Sequence, residues 1–290
     1  SEGLKQLLQR RDEFDICLLV LPTEKDRKAI APYEKLSGVE VIYGDLTRYE
    51  DVLQGVNNAD YVLHVGGMVS PVADYYPQKT LQVNVGAVIE VASGMRFGDF
   101  LKKEIFEPLG MNDTDFWVPA EKQDRLAKVY DCREGQPSVR YLDNNLGIQN
   151  DMAYRPAYEA GGAGLASTID DYAKFTQMLL NGGTYNGVQI LRPATVKFLG
   201  GHTLSAVQQA GFDNWIGLEG FSYGNLMRVL VDPTRAVTLG SKGEFGWDGW
   251  LGCYMEVVPE QNMTFLMMTQ KKDAGTYTLS RKIRNIIFSE

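Results

Sequence analysis

The sequence predicts an α/β fold: an incomplete parallel sheet fragment, followed by an antiparallel sheet packed with helices. Three observations lead there. Ile16-Cys17-Leu18-Leu19-Val20-Leu21 is a continuous apolar run, the pattern of a strand covered on both faces in a parallel sheet. Strand-like and helix-like segments alternate around it, as βαβ units do. Far downstream, Cys253–Val258 and Met263–Met268 flank the four-residue turn Pro259-Glu260-Gln261-Asn262, which makes an antiparallel hairpin.

The elements follow in order. Leu4, Leu7 and Leu8 recur at helical spacing. Val39–Tyr43 is the second strand. Thr47-Arg48-Tyr49-Glu50 has the form of a capping box, in which hydroxyl and carboxylate satisfy orphan amides. It starts a helix that runs to about Gly55. Tyr61-Val62-Leu63-His64 is the third strand. Phe97, Phe100, Leu101, Ile105 and Phe106 share one helix face, and Pro108 is expected to stop that helix. Ser167 or Thr168 caps a helix bearing Ile169, Tyr172, Phe175, Leu179 and Leu180, with Asp170 and Asp171 in its first turn. Asn181-Gly182-Gly183 ends it. Thr278–Ile287 suits a closing helix.

Composition narrows the function. The chain has 290 residues, 44% hydrophobic and 23% charged, enough apolar content for a sizeable core. Its formal net charge of −8 argues against nucleic acid as a partner, since phosphate binding is driven by cations. Cys17, Cys132 and Cys253 are too far apart for a metal site, and the histidines are His64 and His202, so no metal is expected. No run approaches the ~18–20 apolar residues of a membrane helix. The start, SEGLKQLLQR, has no signal-peptide apolar segment, and the expectation is a cytoplasmic protein with reduced thiols.

Residues 1–86 resemble the nucleotide-binding half of an extended short-chain NAD-dependent epimerase/dehydratase, a Rossmann-like segment. Val41-Ile42-Tyr43-Gly44-Asp45-Leu46-Thr47 resembles the family stretch whose Asp-Leu edge meets adenine. Asp60–Gly67 resembles its cofactor-side strand and small-residue turn, with His64 and Gly66 in the matching places. Asn84 matches an asparagine near the family's site. The resemblance therefore implies Asp45, Leu46, His64, Gly66 and Asn84 as NAD-binding residues. The phosphate-binding G-x-x-G-x-x-G loop would lie before Ser1, and Tyr75-x-x-x-Lys79 falls too early and contains Pro77. Saturable NAD binding is accordingly not expected. The fragment lacks the central first strand, which leaves strand edges exposed or closing on one another.

Residues 87–290 resemble the penicillin-binding-protein and serine β-lactamase superfamily, including its esterase relatives. Ile105-Phe-Glu-Pro-Leu-Gly-Met111-Asn-Asp-Thr114 resembles its "IFEPLGM-x-DT" signature, and Gly161–Gly183 its "GGxxST…D…F…LLNGG" stretch. Trp247-Asp248-Gly249 stands where the superfamily carries Lys/His-x-Gly, the third active-site motif, and a tryptophan there resembles esterase-type members. The implied domain is a partial β-lactamase/transpeptidase-like one, needing no cofactor and taking ester- or amide-like small molecules. The join falls near Val85-Gly86-Ala87-Val88, with no linker composition.

The superfamily's chemistry needs a serine deprotonated by a lysine one helical turn away. Eleven serines occur and none has a lysine three positions on. Ser167 is explained by helix capping, and Tyr223-Gly224-Asn225 lies far from where a family Tyr-x-Asn belongs. No catalytic set is complete, and an inactive serine-hydrolase-type chain is the expectation. A nucleotide-sugar epimerase/dehydratase fragment, a non-catalytic binding protein and a chimera of two pieces stand as alternatives.

Overall fold

The structure is a computed structural model, and it describes residues 2–10, 12–46, 48–57, 59–60, 62, 89–90, 92–133, 135–143, 150–156, 159–201, 203–214, 217–273 and 279–289. The chain forms two compact units, residues 1–100 with 158–161, and 101–157 with 162–290.

In the first unit, helix α1 (Glu2–Gln9) precedes strand β1 (Ile16–Val20), helix α2 (Glu24–Ile30), strand β2 (Val39–Tyr43) and helix α3 (Tyr49–Val56). β1 and β2 pair in parallel, Ile16 opposite Val39 through Val20 opposite Tyr43. α2 makes the crossover between them. α2 carries the local signals of a helix. Thr23 accepts from the Asp26 amide at 3.1 Å, acids occupy the first turn and Arg27 and Lys28 the last. α3 packs on both strands, with Val52 buried.

One expectation needs correction here. β1 is not covered on both faces: Ile16 is buried, Cys17 is exposed and the rest are half-buried. Among the described residues β1 pairs with one strand, β2, and α3 packs on it. The faces of a parallel strand are covered by helices rather than by further strands, and that cover is partial here. Thr47 of the expected Thr47–Glu50 capping box lies outside the described residues. The N-cap of α3 is Arg48, without a side-chain cap bond. The Asp51 carboxylate accepts from the Asp45 amide at 2.9 Å and lies 3.7 Å from Arg48. Of the expected third strand at Tyr61–His64 all but Val62 lies outside the described residues, as does the join at 85–88.

Helix α4 (Phe97–Leu101) runs into one π turn (Lys102–Phe106) and a last α turn (Glu107–Leu109). Two carboxylates serve its start. Glu90 accepts from the Phe97 amide at 3.0 Å, and buried Glu159 from the Gly98 amide at 2.6 Å, where the free amides favour negative charge. Pro108 does not stop the helix. It sits inside the final turn, where the wide π turn ahead absorbs the missing N–H. Gly110, at φ +69°, is the stop. Met111 N–H reaches back to Phe106 C=O at 2.7 Å.

The second unit is built on an antiparallel sheet of order β11-β10-β9-β8-β7. Its strands are β7 (Phe221–Gly224), β8 (Met227–Leu230), β9 (Phe245–Asp248), β10 (Tyr254–Val258) and β11 (Met263–Met267). The expected hairpin is β10–β11, closed by a 3-10 turn over Pro259–Gln261 and by Asn262 at φ +50°. Two short hairpins stand apart, β3 (Tyr130–Asp131) with β4 (Val139–Arg140), and β5 (Thr184–Tyr185) with β6 (Val188–Gln189). Helices α5 (Ile169–Leu180), α6 (Pro193–Gly201), α7 (Ala206–Phe212) and α8 (Leu279–Ile287) complete the unit.

Period-two alternation divides the sheet into an apolar and a charged face. Val229, Phe245, Met255 and Val257 join Phe106, Leu109, Met111, Met178, Leu179 and Val196 in one core. The α5 face differs in part from its sequence reading: Ile169 is 49% exposed and Met178 fully buried. Ile169 begins the helix next to its cap, a turn short of the core. Opposite that core, cross-strand neighbours Arg228, Gly246 and Glu256 share one row.

Candidate active site

Trp247 and Asp248 end β9, and Gly249 opens the turn that leads to β10. The Gly249 amide donates to Cys253 C=O at 2.8 Å, and Gly252 to Gly249 C=O at 2.8 Å. This closes the turn so that Asp248 lies opposite Tyr254 and Trp247 opposite Met255. β9 lies in mid-sheet, held on both sides.

Neither tryptophan of this stretch belongs to the buried core. Trp247 is half-buried and meets the Tyr223 ring edge-on, centroids 5.2 Å apart. Trp250 is 36% exposed. Its indole N–H donates to Asp273 at 2.5 Å, and Tyr141 meets it edge-on at 5.9 Å. The sequence sets Tyr223 aside, because Tyr223-Gly224-Asn225 lies far from where a family Tyr-x-Asn belongs. β7 and β8 bring it to Trp247, and burial pushes its phenol up.

Asp248 is matched to a cation. Arg228 Nη1 donates to Asp248 Oδ1 at 2.6 Å, with 3% of the arginine side chain and 22% of the aspartate exposed. The guanidinium also lies 4.5 Å from the Tyr254 ring centroid, 5.9 Å from that of Phe221 and 6.0 Å from that of Trp247. Sequence reasoning missed Arg228. A lone arginine in an apolar strand, Met227-Arg228-Val229-Leu230, was the available signal, since such a group is buried only with a partner.

The strongest sequence signature proves to be a fastening. Asp171 of α5 accepts from the Asp113 amide at 2.6 Å and from Thr114 Oγ1 at 3.1 Å. Its other oxygen takes Lys174 Nζ at 2.9 Å, and that ammonium also donates to Gly110 C=O. Thr168 is the cap, accepting from the Asp171 amide at 3.2 Å. Ser167 lies 2.8 Å from Thr114 Oγ1. These bonds tie the 110–114 turn, which follows the α4 segment, to α5.

The other sequence-assigned residues lie elsewhere. Asp45 and Leu46 follow β2 in the first unit. His64, Gly66 and Asn84 lie outside the described residues. Among the described residues no cluster of His, Cys, Asp or Glu could hold a metal ion, and no helix is long and apolar enough to cross a membrane.

The Beta-lactamase family model matches residues 82–286. The chain belongs to the β-lactamase family. The match to this β-lactamase-family chain begins five residues before position 87 (87 − 82) and takes in Asn84. Over 199 residues it is 29% identical to a putative D-alanyl-D-alanine carboxypeptidase of Escherichia coli strain K12, covering 64% of the chain and 43% of that protein. Over 170 residues it is 29% identical to the lovastatin esterase of Penicillium rubens, covering 58% and 40%. In fold it is similar to EstCE1, a hydrolase with promiscuous acyltransferase activity, at TM-score 0.58 and 24% identity, over 72% of this chain and 55% of that one. The chain thus spans less than half the length of the two curated relatives.

Proposed function

We propose that this chain carries one wall of a serine acyl-transfer site for ester- or amide-like small molecules, and that it forms no acyl-enzyme by itself. The placement of Trp247-Asp248-Gly249 carries the reading. The triplet ends a mid-sheet strand and turns into a tight loop, with a half-buried indole and an aspartate neutralised by Arg228. A wall of that kind offers an aromatic surface and no free cation, which suits a neutral acyl group better than a carboxylate-bearing one. A Cβ on Gly249 would meet nothing closer than 3.8 Å. The chain's own packing therefore does not demand that glycine, which is consistent with a ligand-facing role. The similarity to an esterase, a carboxypeptidase and a hydrolase with acyltransferase activity supports the same class.

Acyl transfer needs a nucleophile beside a base, and no Ser-x-x-Lys occurs in the sequence. Treated with a fluorophosphonate or a penicillin, the protein is expected to keep its intact mass. A stoichiometric adduct on a serine overturns the reading.

For residues 1–86 we read a Rossmann-like segment joined to the hydrolase-like part at 87–290, in a chimeric, cytoplasmic chain. The observation in favour is the β1-α2-β2 crossover with parallel register, with Asp45 just past the end of β2. By the resemblance the glycine-rich loop that cradles a dinucleotide's pyrophosphate would lie before Ser1 and not before α2, and residues 1–86 contain no G-x-x-G-x-x-G. Titration of NADH followed by its fluorescence should show no saturable binding. Saturation at micromolar protein would instead favour an epimerase-like site.

A further inference from the structure

We propose that Glu244, Glu256 and Arg284 form a one-proton latch that fastens α8 to the sheet, with Glu244 neutral while the helix is docked and the helix freed when that proton is lost. Two carboxylates meet one guanidinium. Arg284 Nη2 lies 2.6 Å from Glu244 Oε1, and Nη1 pairs with Glu256 Oε1. All three side chains are at most 3% exposed. A Cβ on Gly240 would lie 2.5 Å from Arg284 Nη2 and 2.8 Å from Glu244 Oε2, so that side of the cluster is closed by backbone.

The charges do not cancel if both glutamates ionise. On β10, Glu256 and the Tyr254 hydroxyl face the guanidinium, the latter at 3.0 Å. From the 238–244 segment come Thr238 Oγ1 at 3.2 Å, Leu239 C=O at 2.8 Å and Glu244 itself. The Ser241 amide donates to Glu244 Oε2 at 2.9 Å, and Lys242 beside it is exposed. Phe265 stands opposite Glu256 on β11 and brings no charge. Gln261 of the turn bonds Ser241 Oγ at 3.0 Å. On α8 itself, Lys282 is exposed and Arg281 half-buried. Arg228 shares a cross-strand row with Glu256, across Gly246, and is matched by Asp248 at 2.6 Å. One buried guanidinium therefore faces two carboxyls, and an unmatched buried anion is expensive. A proton on Glu244 bridging to Glu256 removes the excess. Burial first, then the charge of Glu256 and the carboxyl–carboxyl contact, push Glu244 up to about 8.

The cluster is also where α8 is held. Arg284 supplies bonds to Thr238, Leu239, Glu244, Tyr254 and Glu256, and Asn285 accepts from the Leu239 amide at 2.9 Å. Leu279 and Ile286 of the same helix are 53% and 64% exposed, so apolar packing secures its two ends less well. The sign follows from linkage. Glu244 binds its proton more tightly folded than unfolded, so its stabilisation is complete below the ordinary carboxyl range and is lost as pH rises through about 8.

The test compares wild type with Glu244→Gln, a neutral stand-in for the protonated acid, from pH 5.5 to 9.5. Urea unfolding should show the wild-type folding constant falling with pH relative to the variant, by up to about tenfold per pH unit for one proton. Trypsin should cut at Arg281, Lys282 or Arg284 in wild type at pH 9 and not at pH 6.5, after correction for its rate on a free peptide. E244Q should resist at both. Parallel pH slopes and equal cleavage in the two proteins overturn the proposal. If E244Q does not fold, Glu256→Gln leaves one carboxylate for one guanidinium and must show the same flat profile. Should neither variant fold, the infrared spectrum of wild type decides: a protonated-carboxyl stretch at pH 7 that disappears by pH 9.5 supports the latch, and its absence at pH 7 overturns it.

Discussion

Asp248→Leu should destabilise the protein by about 3–5 kcal/mol, the cost of leaving a buried ion without its partner. Arg228 is 3% exposed and pairs with the Asp248 carboxylate. Among the described residues its Nη2 has no hydrogen-bond partner. Without Asp248 the guanidinium is left to aromatic faces, and the nearest, Tyr254, at 4.5 Å, cannot replace an anion. The reverse change, Arg228→Met, should cost less, because 22% of Asp248 is exposed and its carboxylate can draw on water. The double variant should recover much of the loss, since a buried ion pair replaced by apolar groups of similar volume is often neutral or better. Urea midpoints of the three proteins check this. A double variant as unstable as Asp248→Leu alone would mean that the aspartate acts through something other than Arg228. The result bears on the proposed site too, because Asp248 sits between Trp247 and Gly249.

What the sequence displayed depended on how far apart the cooperating residues lie. The β10–β11 hairpin, α5 with its Thr168 cap and Asn181-Gly182-Gly183 stop, and the closing helix α8 were all legible, because their signals are contained within a dozen neighbours. Pro108 misled for the same reason. A local rule places the stop there, whereas the π turn and Gly110 move it on. Trp247-Asp248-Gly249 could be found as a triplet, but its partners could not. Arg228 is 20 positions away from Asp248 and Arg284 is 28 from Glu256. Each is an arginine in an otherwise apolar or amphipathic stretch, and only the register of the sheet reveals which acid it meets. In the first unit the apolar run of β1 overstated its burial, since composition reports what a strand can bury and not whether a neighbour is present to bury it.

Gly246→Ala is the second change expected to have a large effect, and it probes the same strand by shape alone. A Cβ at Gly246 would lie 2.0 Å from Met255 C=O and 2.9 Å from the Glu256 Cα. Both obstacles are backbone of the neighbouring strand, so no side chain can rotate away and β9 must separate from β10. The pairs at stake are Tyr254–Asp248, Met255–Trp247, Glu256–Gly246 and Val257–Phe245, with Val257 and Phe245 in the main core. Forced overpacking of this kind costs about 3 kcal/mol or more. The close approach of the β10 backbone is what requires a glycine there, and its neighbours across the row are Arg228 on β8 and Glu256 on β10. Loss of cooperativity in urea, together with a shifted Trp247 emission, would mark the strand moving. If Gly246→Ala instead unfolds at the wild-type midpoint, β9 and β10 are not as close as described, and the placement of Trp247-Asp248-Gly249 along that strand falls with it.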